Sequence, residues 1–276
     1  MLMKKGLVVF SVPEVVFIRI FFGFVALLPF SVCSIKSLSK KQIEILTLIG
    51  IVETLIPMFC FAISLVHVDS GLDGILGALT PVYVLFLGYI FFRDRICISE
   101  IVGVLFCVVG TMLIFIIESR GVTCINHYLL IGMLGNILYG CSSNLVKRYC
   151  SNIGSVCIVG VSLFAIGILS GVFCVMNTDI PAKIVNNPNG LKALLALAFV
   201  GIINLGFANV LFTIIIKRES PMFVSVESVL SPIFAVLLGI IDGERLNYVH
   251  FLGFLMMIIG IFYLNRKRRE HSTCLL

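Results

Sequence analysis

Charge is what this chain of 276 residues has least of. Asp, Glu, Lys and Arg together make up 12% of it, about half the share of an ordinary soluble domain. With 60% hydrophobic residues and a mean hydropathy of +1.16, that shortage excludes a water-soluble fold of this length. No GxxxxGK[ST] motif occurs, which excludes ATP hydrolysis by a P-loop. No CxxC pair occurs either, and the ten cysteines cluster neither with one another nor with the four histidines. A disulfide framework, a zinc site and an iron–sulfur site therefore have no support, and no metal or cofactor is expected. Cys60, Cys107, Cys141 and Cys174 lie within apolar runs and read as small buried apolar residues. His67, His127, His250 and His271 fall near segment ends or in the tail. Gly140-Cys141-Ser142-Ser143 has only a faint likeness to a serine motif, and no histidine accompanies it at depth. No catalytic residues are expected; an intramembrane enzyme is the weakest of the functions considered.

What the chain has instead is long apolar runs. They fall at about 15–32, 44–66, 71–91, 98–116, 127–146, 154–176, 192–216, 221–241 and 248–264, each near the length needed to span a bilayer. Only helices and closed barrels can satisfy their backbone in lipid, and the short alternating strands of a barrel are missing, so the fold is all-α and polytopic. The net charge of +6 resides in connectors and tail; it reports orientation and contact with anionic headgroups, not nucleic-acid binding. Nine spans place the termini on opposite sides. Thirteen basic residues, including Lys36, Arg93, Lys147, Lys217 and the run Arg266 to Arg269, share the side of the C-terminus, against six on the other. The C-terminus is thus expected in the cytoplasm. Met1 would then lie outside, although Lys4 and Lys5 follow it with no signal-peptide core before them.

An internal repeat accounts for that. A shift of about 151 residues lays Gly50 on Gly201, Phe61 on Phe212, Leu79-Thr80-Pro81 on Leu230-Ser231-Pro232 and Gly88 on Gly239. After a one-residue slip, Asp94-Arg95 falls on Glu244-Arg245, Gly103 on Gly253 and Gly110 on Gly260. Matched prolines and glycines carry weight in so narrow a composition. The second half, residues 120–276, holds five spans and a basic cytoplasmic tail. The first, residues 1–119, holds four, so the counterpart of 127–146 is expected to be missing from its front. Five helices per half require the halves to run in opposite senses, an inverted-topology repeat.

Eight residues in the apolar spans stand out. Glu53 lies near the middle of its run, where a carboxylate costs roughly 2.5–3.5 kcal/mol on insertion scales. Its repeat mate is Asn204; the pair could bind a cationic or amino group, or Glu53 could carry a coupling proton. A protonated carboxyl bonded between helices is the plainer alternative. Glu227, with Ser225, Ser228 and Ser231 nearby, lines a cavity or packs helices. Arg19 sits about one turn inside its run and either snorkels to the surface, pairs with a carboxylate or binds an anionic group. Pro81 and Pro232 occupy matched positions and free an upstream carbonyl, as helix breaks at transporter sites do, or merely kink the helix. Asn136 and Tyr139, with Ser142, Ser143 and Asn144, give 127–146 a polar cast suited to a cavity wall or to interhelical hydrogen bonds.

Leu79-Thr80-Pro81 through Asp94-Arg95 and Gly103, with Leu230-Ser231-Pro232 through Gly243-Glu244-Arg245-Leu246 and Gly253, resembles the EamA family of the drug/metabolite transporter superfamily. Pro13-Glu14 leading to Arg19, with Leu28-Pro29-Phe30 beyond, is similar to that family's second helix. Asp94 stands where the family usually has Glu. The resemblance implies a ten-helix carrier of metabolites, amino acids or drugs in a bacterial inner membrane; some rickettsial members carry S-adenosylmethionine. The expectation is a secondary transporter for a small amino-acid-like, S-adenosylmethionine-like or cationic solute, working by alternating access. The alternative is an inactive or truncated remnant of such a carrier. A small-molecule substrate and the lipid bilayer are the expected partners, nucleic acid is not, and pairing into a homodimer stays open.

Overall fold

The computed structural model describes residues 2–36, 38–67, 77, 79–93, 98–118, 127–176, 179–219 and 248–271. Every described element is helical. A short α1 (Leu2–Val9) precedes α2 (Val12–Ile35). Then follow α3 (Lys40–Gly50), a π-helical segment π1 (Ile51–Leu55) and α4 (Ile56–His67), which together form one continuous rod. After these come α5 (Thr80–Phe92), α6 (Ile98–Glu118), α7 (His127–Tyr149), α8 (Ser155–Met176) and the short α9 (Asp179–Asn186). A second compound rod joins α10 (Gly190–Val200), π2 (Gly201–Ala208) and α11 (Asn209–Arg218), and α12 (Tyr248–His271) closes the order.

Local sequence sets the helix starts. Glu14 reaches back to the Ser11 N–H (2.7 Å), occupying a donor that the first turn of α2 leaves unpaired. Ser39 and Gln42 form the full reciprocal pair ahead of α3: the Gln42 N–H donates to Ser39 Oγ at 3.3 Å and the Ser39 N–H to Gln42 Oε1 at 2.9 Å. Composition sets where the helices reside. Five described stretches are long and apolar enough to cross a bilayer: Val12–Val32, Lys40–His67, His127–Tyr149, Ser155–Met176 and Gly190–Arg218. Only a third to a half of each is buried within the protein (33–50%). The rest is an apolar outer face, with Leu169, Val172 and Phe207 among its exposed side chains; such a surface is stable against lipid, not water. The sequence-expected span 71–91 is described as a helix from Thr80 onward, and the expected span 221–241 lies outside the described residues.

The chain divides into two compact units that do not follow the sequence halves. One holds Met1–Val66 and Leu145–Arg218, the other His67–Asn144 and Glu219–Leu276. In the first unit α2 and α8 run antiparallel: Gly167 sits on the Phe24 side chain, Gly160 on Ser31, and the Phe17 and Phe173 rings lie 4.3 Å apart. Both compound rods pack on this pair through a glycine. Gly50 lies against the backbone carbonyl of Ser162 in α8, and a Cβ on Gly201 would stand 2.5 Å from the carbonyl oxygen of Arg19 in α2. A core of Val16, Ile20, Leu27, Met58, Leu163 and Leu205 fills the space between. In the second unit α6 and α12 are also antiparallel. A Cβ on Gly103 would lie 2.8 Å from the Gly260 carbonyl oxygen and one on Gly110 2.7 Å from that of Gly253. Small residues let the two backbones touch, as helix association in lipid requires.

Candidate functional site

Glu53 is the centre of π1, and Asn204 lies within π2. In each segment the backbone bond spans five residues instead of four: the Ile56 N–H donates to Ile51 O, and the Asn209 N–H to Asn204 O. The first of these irregularities has a sequence cause that motif reading passed over. Pro57 stands four residues beyond Glu53 and has no N–H to offer the Glu53 carbonyl. The ladder widens around that vacancy, and π-turns of this kind concentrate at functional sites. Glu53 is partly buried and Asn204 is exposed. Among the described residues no hydrogen bond or ion pair reaches the Glu53 carboxyl, and no side chain donates to its carbonyl. One point of the rod therefore presents a carboxylate beside a backbone acceptor that lacks its usual donor.

Arg19 lies inside α2 at 7% exposure, with Gly201 at the start of π2 packed on its backbone. The neighbouring acid, Glu14, is engaged elsewhere: Lys183 of α9 donates to both its oxygens, at 2.9 and 2.7 Å, and Glu14 itself is 2% exposed. The same unit carries a lysine clasp where α7 turns into α8. Lys147 Nζ donates to Lys217 O at 2.9 Å, and Lys217 Nζ to Ile153 O. Cys150 is buried in that turn, and burial pushes its thiol up to about 11.

In the second unit Pro81 occupies the first turn of α5, where a missing N–H is tolerated. The carbonyl it would have bonded, Gly77 O, accepts the Thr80 hydroxyl at 2.5 Å instead. At Pro81 a side-chain hydroxyl thus takes the place of the missing N–H. Asn136 is buried: its Nδ2 donates to Gly132 O at 3.0 Å, and its Oδ1 lies 3.2 Å from Thr80 Oγ1. Asn144 Nδ2 donates to Val84 O at 3.0 Å. Two members of the polar cast of α7, Asn136 and Asn144, are thus engaged with α5. Tyr139 is partly buried, and its carbonyl accepts from Ser142 and Ser143. The Tyr83 hydroxyl, which sequence reading did not single out, is buried with no hydrogen-bond partner among the described residues. Glu227 and Pro232 lie outside the described residues. Glu53, Asn204 and Arg19 belong to one compact unit, and Asn136, Tyr139 and Pro81 to the other. No grouping of three His, Cys, Asp or Glu suited to a metal exists among the described residues.

Several long apolar helices, lipid-facing surfaces and polar groups at membrane depth define a multi-pass helical membrane protein. Residues 1–116 and 127–266 match the profile of the EamA-like transporter family. The chain belongs to that family, which is one of transporters and not of enzymes. No curated protein sequence matches it. A solved structure titled "Crystal structure of protein" superposes with a TM-score of 0.70 at 14% identity, covering 98% of this chain and 96% of that one. At that identity the likeness is one of fold.

Proposed function

We propose that this protein is a secondary transporter that moves a small solute carrying a protonated amino or other cationic group, with Glu53 as its binding or coupling carboxylate. The observation that carries the reading is the Glu53 carboxyl itself. It stands in a membrane-crossing rod, at a π-turn, with no internal partner among the described residues. An isolated acid at that depth is retained for a partner or a proton that comes and goes. The adjoining carbonyl, whose usual i+4 donor Pro57 removes, suits a ligand that brings N–H donors rather than an anion. Asn204 is the neutral counterpart and would hydrogen-bond without adding charge.

The architecture we assign is an inverted repeat of five-helix halves, of which residues 1–119 hold four helices, without the first, and residues 120–276 hold five. Reciprocal contacts support it within each unit. Exchanging Gly50 for Gly201 and Ser162 for Arg19 turns one close approach into the other, while the Phe24–Gly167 contact maps onto itself. Exchanging Gly103 for Gly253 and Gly110 for Gly260 does the same for α6 and α12. The two π-turns also fall on matched positions. Transport then proceeds by alternating access, driven by exchange or an ion gradient, with the C-terminus in the cytoplasm.

Substrate counterflow in proteoliposomes tests this, with amino acids, S-adenosylmethionine, nucleosides and organic cations as the solutes. Saturable exchange of an amine-bearing solute, abolished in a folded Glu53→Gln variant, is the expected result. Exchange unaffected by Glu53→Gln, or confined to anions, would sink the assignment of Glu53.

A further inference from the structure

In the first compact unit, basic residues gather at the end where α8 begins. Ser31 of α2 lies on Gly160 of α8, so the end of α2, with Lys36 just beyond it, stands beside the start of α8. The helix α3 opens four residues after Lys36, with Lys40 and Lys41 as its first two residues. Lys147 Nζ donates to Lys217 O at 2.9 Å, and Lys217 Nζ to Ile153 O. Those bonds hold the last turns of α7 and α11 against the loop leading into α8, which brings Arg148 and Arg218 to the same end. Two acids accompany them among the described residues: Glu44, four residues after Lys40, and Glu219, next to Arg218. The charge of this end is therefore strongly positive. Lys147 and Lys217 are spent on carbonyls, whereas Lys36, Lys40, Lys41, Arg148 and Arg218 are exposed.

The exposed cations stand at the heads of apolar stripes. Val32 lies four residues before Lys36 on α2, Leu48 seven after Lys41 on α3, and Ile215 three before Arg218 on α11; all three are exposed. Residues at these spacings share a helix face. Tyr149, also exposed, adjoins Arg148, and phenol rings settle at headgroup level in a bilayer. Three helices of one unit thus carry exposed apolar surface that ends in a cation, each at the same end. A soluble anion would use the cations alone. The stripes beneath them add contact area that an acyl chain can use as well. Lys40 contributes least, because Glu44 offers it a counter-charge one turn away.

We propose that this end of the unit is a docking surface for anionic phospholipid, with phosphodiester headgroups held by Lys36, Lys41 and Arg218 and acyl chains laid along Val32, Leu48 and Ile215. The inference depends neither on the cargo nor on Glu53, and it is tested without either. The full chain in detergent is supplied with dioleoylphosphatidylglycerol and dioleoylphosphatidylcholine at equal concentration, and native mass spectrometry reads the lipid it retains. Several-fold more phosphatidylglycerol than phosphatidylcholine is expected. Lys36→Gln/Lys41→Gln/Arg218→Gln, which alters exposed side chains alone, should bring the two lipids level. Lys192→Gln removes an exposed lysine at the start of α10, the opposite end of the same unit, and should leave the preference intact. A second readout needs no variant and carries the test should the triple variant fold poorly. The unfolding temperature of the parent protein should rise with phosphatidylglycerol and stay put with phosphatidylcholine or with glycerol phosphate at the same concentration. Equal retention of the two lipids, a preference that survives the triple variant, or an equal loss in the Lys192 control overturns the surface. Stabilisation by glycerol phosphate that matches the lipid's also overturns it, since the site would then be one for soluble anions.

Discussion

Glu53 was legible from the sequence because an acid inside an apolar run has no bland neighbours to hide among. What it stands beside was not. Pro57 is four residues away in plain sight, but a proline inside a helix permits a kink, a break or a widened turn, and only packing selects among them. Pro81 illustrates the same ambiguity with the other outcome, since the Thr80 hydroxyl fills the place of the lost donor. Asn136 and Asn144 read equally well as cavity lining or as helix glue, and their partners, Thr80 and Val84, are too distant in sequence to foresee. Cys150 gives a chemical prediction at this scale. Its ordinary value is 9.0, and burial raises it to about 11. A raised value means less thiolate at any given pH; at pH 8 that leaves about a thousandth of it ionised. N-ethylmaleimide at pH 8 should therefore modify the partly exposed Cys157 and leave Cys150 untouched. Peptide mass spectrometry reads both sites at once, and equal labelling would contradict the buried turn.

At the scale of the element, the repeat predicted that Gly50 and Gly201 are equivalent, and their surroundings explain why both are glycine. Each lets a compound rod touch the backbone of a neighbouring helix. Gly201→Ala places a Cβ 2.5 Å from the Arg19 carbonyl oxygen, and backbone cannot yield as a side chain can. We expect a loss of about 1–3 kcal/mol, seen as a lower unfolding temperature in detergent. Gly206→Ala, in the same π-helical segment, meets only the Ala26 methyl at 3.7 Å and should be tolerated. Equal behaviour of the two variants would argue against the close approach. The π-turns themselves were invisible to hydrophobic patterning, because one extra residue in a turn hardly disturbs a run that is apolar on every face.

At the scale of the whole molecule, thirteen basic residues against six lead us to expect the C-terminus in the cytoplasm. A phosphatase fused after Leu276 should be inactive in a bacterial host and a green fluorescent reporter bright; the reverse would invert the topology. The membrane class, the all-helical build and most span limits followed from the sequence alone, because lipid leaves a long apolar chain almost no other way to satisfy its backbone. The family followed from sparse prolines, glycines and acid–Arg turns at matched positions. Tertiary structure decided the rest: which halves interleave, that α7 passes from one compact unit to the other, and that Glu14 is held by Lys183. It also decided that the polar face of α7 is largely spent on internal bonds while, among the described residues, nothing pairs with the Glu53 carboxyl. The division has a physical cause. Solvent acts on each residue by itself and can be read one segment at a time, whereas a hydrogen bond or a close backbone contact depends on which distant segment arrives beside it.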